Sequence, residues 1–134
     1  MKEFTIYRVL IGDIDSIPKE LLDIDRFRKG RNCISAASTV EEQLGSELIE
    51  PLAAGTTCGE FLNSRGYNVI LKNIRYDQIQ DTTEEYSQFY VAEPLWYILS
   101  EEGRTKIFKN KNVVVMYPTE CCPRGFQYQT DGHI

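Results

Sequence analysis

The chain reads as a single α+β domain over residues 1–134, with a mixed or antiparallel sheet of about five or six strands and three or four helices. Three observations predict that class. The length of 134 residues, with 42% apolar and 26% charged residues, suits one ordinary globular domain. Strand-like and helix-like stretches alternate irregularly rather than in a strict strand–helix repeat. Near the C-terminus, two β-rich stretches flank a short polar turn, as in a hairpin.

Phe4 to Ile11 is rich in β-branched and aromatic residues and stops at Gly12-Asp13, which predicts a first strand. Ser16 and Pro18 then open a helix, with Ile17, Leu21, Ile24 and Phe27 on one face and Gly30 as its terminator. Arg26, Arg28 and Lys29 fall in its last turn, where cations suit the helix dipole. Asn32 to Ala36 reads as a short strand. Ser38 with Glu41, or Thr39 with Glu42, caps a further helix carrying Val40, Leu44, Leu48 and Ile49 and ending at Pro51. Ala53 to Gly55 is a short connection. Thr57 with Glu60 repeats the capping pattern, and Gly66 closes that helix.

Tyr67 to Ile74 carries apolar residues on both faces, which predicts a buried, central strand. Arg75 to Ser87 is polar and reads as a loop with room for one helical turn. Gln88 to Ala92 is a further strand. Pro94 and Gly103 bracket a short helix over Leu95 to Glu102. Arg104 to Phe108 and Val113 to Tyr117 form the expected hairpin, and the tail from Thr119 onward is irregular.

Composition excludes several function classes. No stretch approaches the roughly 18 consecutive apolar residues of a membrane span. The N-terminus lacks the apolar core of an export signal, so the expectation is a cytoplasmic protein with no membrane association. Cys33, Cys58, Cys121 and Cys122 form no Cys-x-x-Cys pair and read as reduced thiols. With one histidine, His133, no metal site is expected, and no cofactor. A formal net charge of −5 disfavours binding to phosphate backbones, so nucleic acid is not the expected partner.

That charge is unevenly spread. Residues 32–103 carry twelve acidic and three basic side chains, while the two ends are net positive. From Tyr76 to Gly103 there is no Lys or Arg, but there are seven carboxylates: Asp77, Asp81, Glu84, Glu85, Glu93, Glu101 and Glu102. Aromatics are interleaved, among them Tyr86, Tyr90 and Trp96. A charge run is ordinarily a solvated face. With aromatic anchors beside it, the same run suits docking to a basic protein surface, the carboxylates steering the encounter. The expected partner-binding set is therefore Asp77, Asp81, Glu84, Glu85, Tyr86, Tyr90, Glu93, Trp96, Glu101 and Glu102.

A second constellation lies near the N-terminus. Arg8 sits on the first strand, and Cys33-Ile34-Ser35-Ala36-Ala37-Ser38-Thr39 follows about one helix later. This arrangement resembles mono-ADP-ribosyltransferases, which hold an Arg on the first strand and a Ser-Thr-Ser stretch on the second. The resemblance implies an NAD-using transferase in which Arg8 grips phosphate, Ser35 positions the nicotinamide end, and Glu84 or Glu85 supports transfer. The chain has Ala36-Ala37 in the middle of that stretch, and no Glu-x-Glu or Gln-x-Glu pair.

Of the cysteines, Cys58 falls at a helix N-terminus, where the dipole lowers a thiol's pKa, although a free Cys is most often a small buried apolar residue. Cys121 or Cys122 with His133 lacks a third orienting group. Arg104, Lys106, Lys109, Lys111 and Arg124 make the C-terminal end basic, and alternating Lys is what an exposed edge strand shows. That end is complementary to the acidic segment, so pairing of two copies into a homo-oligomer is a further expectation. The sequence favours a non-enzymatic binding or regulatory protein that engages or inhibits a basic partner.

Overall fold

The computed structural model describes residues 2–10, 14–30, 57–116 and 127–129. The strand expected over Asn32 to Ala36, the helix after Ser38 and Thr39, and Ser35, Cys33, Cys121, Cys122 and His133 lie outside the described residues.

A sheet in the order β2-β1-β3-β4-β5 organises the fold. Its strands are β1 (Lys2–Val9), β2 (Tyr67–Ile74), β3 (Ser87–Ala92), β4 (Val113–Met116) and β5 (Gln127–Gln129). β1 runs parallel to both β2 and β3, and β3 runs parallel to β4. Only the three-residue β5 is antiparallel, at the far edge. The α+β expectation of a mixed or antiparallel sheet is therefore overturned, because the four main strands all point one way. They are joined by helical connections, as parallel strands require. The order 2-1-3-4 is that of a doubly wound sheet, in which the chain leaves β1 in one direction and later crosses to its other side.

The expected hairpin is overturned as well. Arg104 to Phe108 is not a strand but the body of a helix, α4 (Glu101–Phe108). Ser100 caps it, accepting from the Gly103 amide at 3.0 Å, and Glu101 and Glu102 occupy the first turn, where carboxylates suit the dipole. Gly103 thus sits inside a helix instead of ending one. A Cβ there would collide with the Leu21 carbonyl oxygen and come within 2.8 Å of its carbon. The glycine lets α4 lie directly on the Leu21 backbone. The preceding helix, α3 (Glu93–Ile98), stops where Leu99 turns extended and makes an isolated bridge to Leu22.

The same bridge divides the helix expected after Ser16. Short 3-10 turns span Ile14–Ser16 and Lys19–Leu21, Leu22 is extended, and α1 covers residues 24–30. Pro18, with ψ of 138°, breaks the run that it was expected to open. Asp23 does the capping, accepting from the Arg26 amide at 3.1 Å and pairing with the Arg26 side chain at 3.0 Å. α2 (Thr57–Ser64) begins at the expected capping residue, and Gly66 closes it at φ +84°, a backbone that glycine adopts without strain.

One face of the sheet holds the main core. Tyr7, Val9, Phe89, Val91, Val113 and Val115 project into it, against Ile17, Leu22, Leu95, Trp96, Ile98, Leu99, Ile107 and Phe108 from the helical layer. Ile6, Tyr90 and Val114 form a second, smaller cluster with Phe4, Val69 and Leu71. Strand alternation explains the division, since neighbouring residues point to opposite faces. The centre of the sheet is β1 and β3. Tyr67 to Ile74, expected to be central, is instead the edge strand β2, with β1 as its only described neighbour. Its two-sided apolar pattern reflects two half-covered faces: Val69, Ile70 and Leu71 are each half-buried.

Candidate functional site

The residues ahead of β3 join β1 and β2 in a polar cluster. Tyr7 is buried in β1 with its ring stacked on Phe89, centroids 4.8 Å apart at 12°. Its hydroxyl donates to Glu84 Oε1. Lys72 Nζ lies 3.4 Å from the same oxygen, and the Thr83 amide donates to Glu84 Oε2 at 3.2 Å. Burial, followed by the bond to Glu84 and its negative charge, pushes the Tyr7 phenol well above the ordinary tyrosine range. The same bond, with help from Lys72, holds the Glu84 carboxyl below the usual carboxylate range. Both shifts fix one state, a protonated phenol donating to an ionised carboxylate. Neither group is poised to take up or release a proton near neutrality.

An open cavity of about 390 Å³ adjoins this cluster, lined by Lys2, Glu3, Thr5, Lys72, Glu84, Glu85 and Tyr86. Tyr86 stands edge-on to Tyr67 at 5.2 Å, and Tyr67 to Phe4 at 5.9 Å, so the aromatic wall is braced from β1 and β2. Lys2 Nζ lies 5.4 Å from the Tyr86 ring. The cavity opens at the edge where the parallel strands begin. Ligands of doubly wound sheets ordinarily bind where the strands end, so this cavity is not the crevice that the topology alone would nominate.

The acidic segment does not form one surface. Asp77 and Asp81 lie on an exposed 3-10 turn (Tyr76–Asp81), and Glu84 and Glu85 are exposed just ahead of β3. Glu93 follows the end of β3 and is half-buried, while Glu101 and Glu102 are exposed where α4 opens. Several carboxylates are neutralised locally. Asp77 pairs with Arg75 at 3.6 Å, Glu84 with Lys72, and Glu102 with Lys106 at 3.0 Å. Asp81, Glu85 and Glu101 hold no ion pair with a described residue.

Two of the expected anchors are core residues. Tyr90 is 3% exposed and packs with Ile6 and Val114. Trp96 is 7% exposed, packs on Phe108 and carries the Arg104 guanidinium 4.7 Å from its ring. They leave Tyr86, half-buried at the cavity, as the one expected aromatic still facing a possible partner. Sequence reasoning missed Tyr7, Lys72 and Glu3. Tyr7 and Lys72 sit directly opposite each other in the β1–β2 register, a pairing visible only once those strands are known to be neighbours.

The transferase-like constellation is not assembled among the described residues. Arg8 bonds to Asn73 Oδ1 at 2.9 Å on the face that also carries Ile6 and Tyr90. Glu84 is tied to Tyr7, which leaves β1 on the opposite face. The sheet therefore stands between Arg8 and Glu84. Among the described residues, no group of three or more His, Cys, Asp or Glu side chains could hold a metal ion. No described helix is long and apolar enough to cross a membrane. No protein-family model, no curated protein and no solved structure matches the chain.

Proposed function

We propose that the chain is a binding protein that engages a basic protein surface, with its contact centred on the cavity ahead of β3. The observation that carries this reading is the cavity wall, where three carboxylates, Glu3, Glu84 and Glu85, meet the half-buried ring of Tyr86. An arginine or lysine side chain of a partner would find carboxylate acceptors there and an aromatic face to lie against. Glu84 is held in place by Tyr7, Thr83 and Lys72, so this part of the wall needs little ordering on binding. Glu85, exposed and without an ion pair to a described residue, adds negative charge at the entrance, which raises association rates more than final affinity.

The test is a calorimetric titration of an Arg- and Lys-rich peptide into the wild type and into Glu3→Lys/Glu85→Lys. Glu84 is left in place because the fold uses it. Each exposed ion pair is worth roughly 0.2–1 kcal/mol, so reversing both charges should weaken binding by about tenfold or more. Raising the salt from about 50 to about 300 mM should weaken the wild type as well, because screening shortens the reach of exposed charges. Binding that survives both changes would rule the reading out.

A further inference from the structure

The outer edge of β2 carries a row of backbone groups that no described strand meets, and its parity can be read from the ladder. Lys2 donates to the Gly66 carbonyl at 3.2 Å, and Leu10 donates to the Ile74 carbonyl at 2.9 Å. These bonds bracket the β1–β2 register, in which Lys2 lies opposite Tyr67 and Val9 opposite Ile74. In a parallel ladder, alternate residues turn both backbone groups to the same neighbour. The even-numbered residues of β2 therefore bond to β1, and Tyr67, Val69, Leu71 and Asn73 direct their N–H and C=O groups outward.

Among the described residues this edge is long and lightly guarded. It spans eight residues with no proline, and its one charge, Lys72, is drawn back over the sheet by Glu84. Native edges are usually shortened, charged or covered.

We propose that this edge pairs antiparallel with the same edge of a second copy, about a twofold axis between the two Ile70 residues. Outward-facing residues must pair with outward-facing residues for the bonds to form. With the axis at Ile70, Val69 pairs with Leu71 of the other copy, and Tyr67 with Asn73. All four outward residues of each copy are then used. On the face carrying Ile6 and Tyr90, Val69 meets Leu71 twice. On the other face Ile70 meets Ile70, and the exposed Lys72 meets the exposed amide of Asn68. No like charges oppose each other. Moving the axis to Leu71 uses only three outward residues per copy and sets the Lys72 ammonium against Ile70. The edge is thus self-complementary in one register, as a twofold interface requires. The two five-stranded sheets become one continuous sheet.

Sedimentation equilibrium over a concentration series, up to about 1 mM, tests the pairing. The wild type should approach twice its 15.5 kDa mass. Leu71→Pro removes an outward N–H without touching the β1 ladder, and it should sediment as a monomer with an unchanged far-ultraviolet spectrum. Asn68 lies opposite Lys72 only in the register with the axis at Ile70. Asn68→Glu should therefore tighten the dimer about threefold or more, and Asn68→Lys should weaken it comparably. These two variants also decide the matter if Leu71→Pro fails to fold. A wild type that stays at 15.5 kDa throughout overturns the proposal, even if it captures a strand peptide from another source. So does a dimer indifferent to the charge at residue 68.

Discussion

The acidic, aromatic segment from Tyr76 to Gly103 contains two regions of contrasting composition and opposite fate. Its inner part, Gln88 to Leu99, supplies Phe89, Val91, Leu95, Trp96, Ile98 and Leu99 to the main core. Its outer parts, Asp77 to Glu85 together with Glu101 and Glu102, lie at the surface except for the buried Ile79, and hold six of the seven carboxylates. Strand alternation and the return path through α3 and α4 decide which is which. Interleaving of aromatics with acids in sequence does not place them together in space. Tyr90 and Trp96 stabilise the scaffold, and only Tyr86 remains beside the charges.

The largest effect that would break this division comes from the inner region. Trp96→Ala removes a buried indole from between Phe108 and the Arg104 side chain. It should cost about 3–5 kcal/mol in a denaturant titration, the usual range for a large buried aromatic. A loss below about 1 kcal/mol would return Trp96 to the surface.

Gly103→Ala comes next, and its sign is informative. In an exposed helix the change would stabilise by up to about 1 kcal/mol. Here the new methyl meets the Leu21 backbone, so destabilisation of about 1–3 kcal/mol is expected. A raised Tm would contradict the close approach of α4 to Leu21.

Tyr7→Phe lies at the boundary between the regions. It removes a donor from an ionised carboxylate, a bond worth roughly 1.5–3 kcal/mol. The pH dependence follows from the shifts. Glu84 and Asp23 both have carboxyl pKa values lowered in the fold, Glu84 chiefly by the Tyr7 hydroxyl and Asp23 chiefly by the Arg26 amide. Their contribution is complete above the ordinary carboxylate range, near about 4, and is lost as pH falls through the lowered values. The Tyr7 phenol is raised by burial and Glu84, so its contribution is complete below about 10 and is lost as pH rises towards the folded value. Tyr7→Phe should abolish the alkaline limb and shrink the acid limb. Unfolding curves at a series of pH values would show whether either limb survives unchanged.

The smallest effect belongs to the outer region. Glu85→Lys should change stability by less than about 0.5 kcal/mol, since Glu85 lies ahead of β3 outside any helix and holds no ion pair with a described residue. A larger loss would mean that the carboxylate has a structural duty.

Much of the fold was legible where local signals are strong. Gly66 as a helix terminator and Thr57 as a helix start follow from capping chemistry, and Phe4, Ile6 and Val9 from β propensity. What failed was non-local. Arg104 to Phe108 has few enough apolar residues to pass for an edge strand, and only the Ser100 cap and the contact with Leu21 make it a helix. Strand direction is not encoded within any strand, so the parallel order, and with it the edge position of Tyr67 to Ile74, was invisible. Six of the seven carboxylates are exposed, because charge resists burial, and Glu93 is half-buried. Tyr7, whose partner Glu84 lies 77 residues away, carries no local signal at all.

The most direct test of the central claim is to map amide shifts while an Arg- and Lys-rich peptide is added to the isotopically labelled chain. The expected result is salt-sensitive shifts concentrated at Glu3, Thr5 and Glu84 to Tyr86, with Tyr90 and Trp96 unmoved. Shifts concentrated elsewhere, or none at saturating peptide, would contradict the assignment of the outer region as the binding surface.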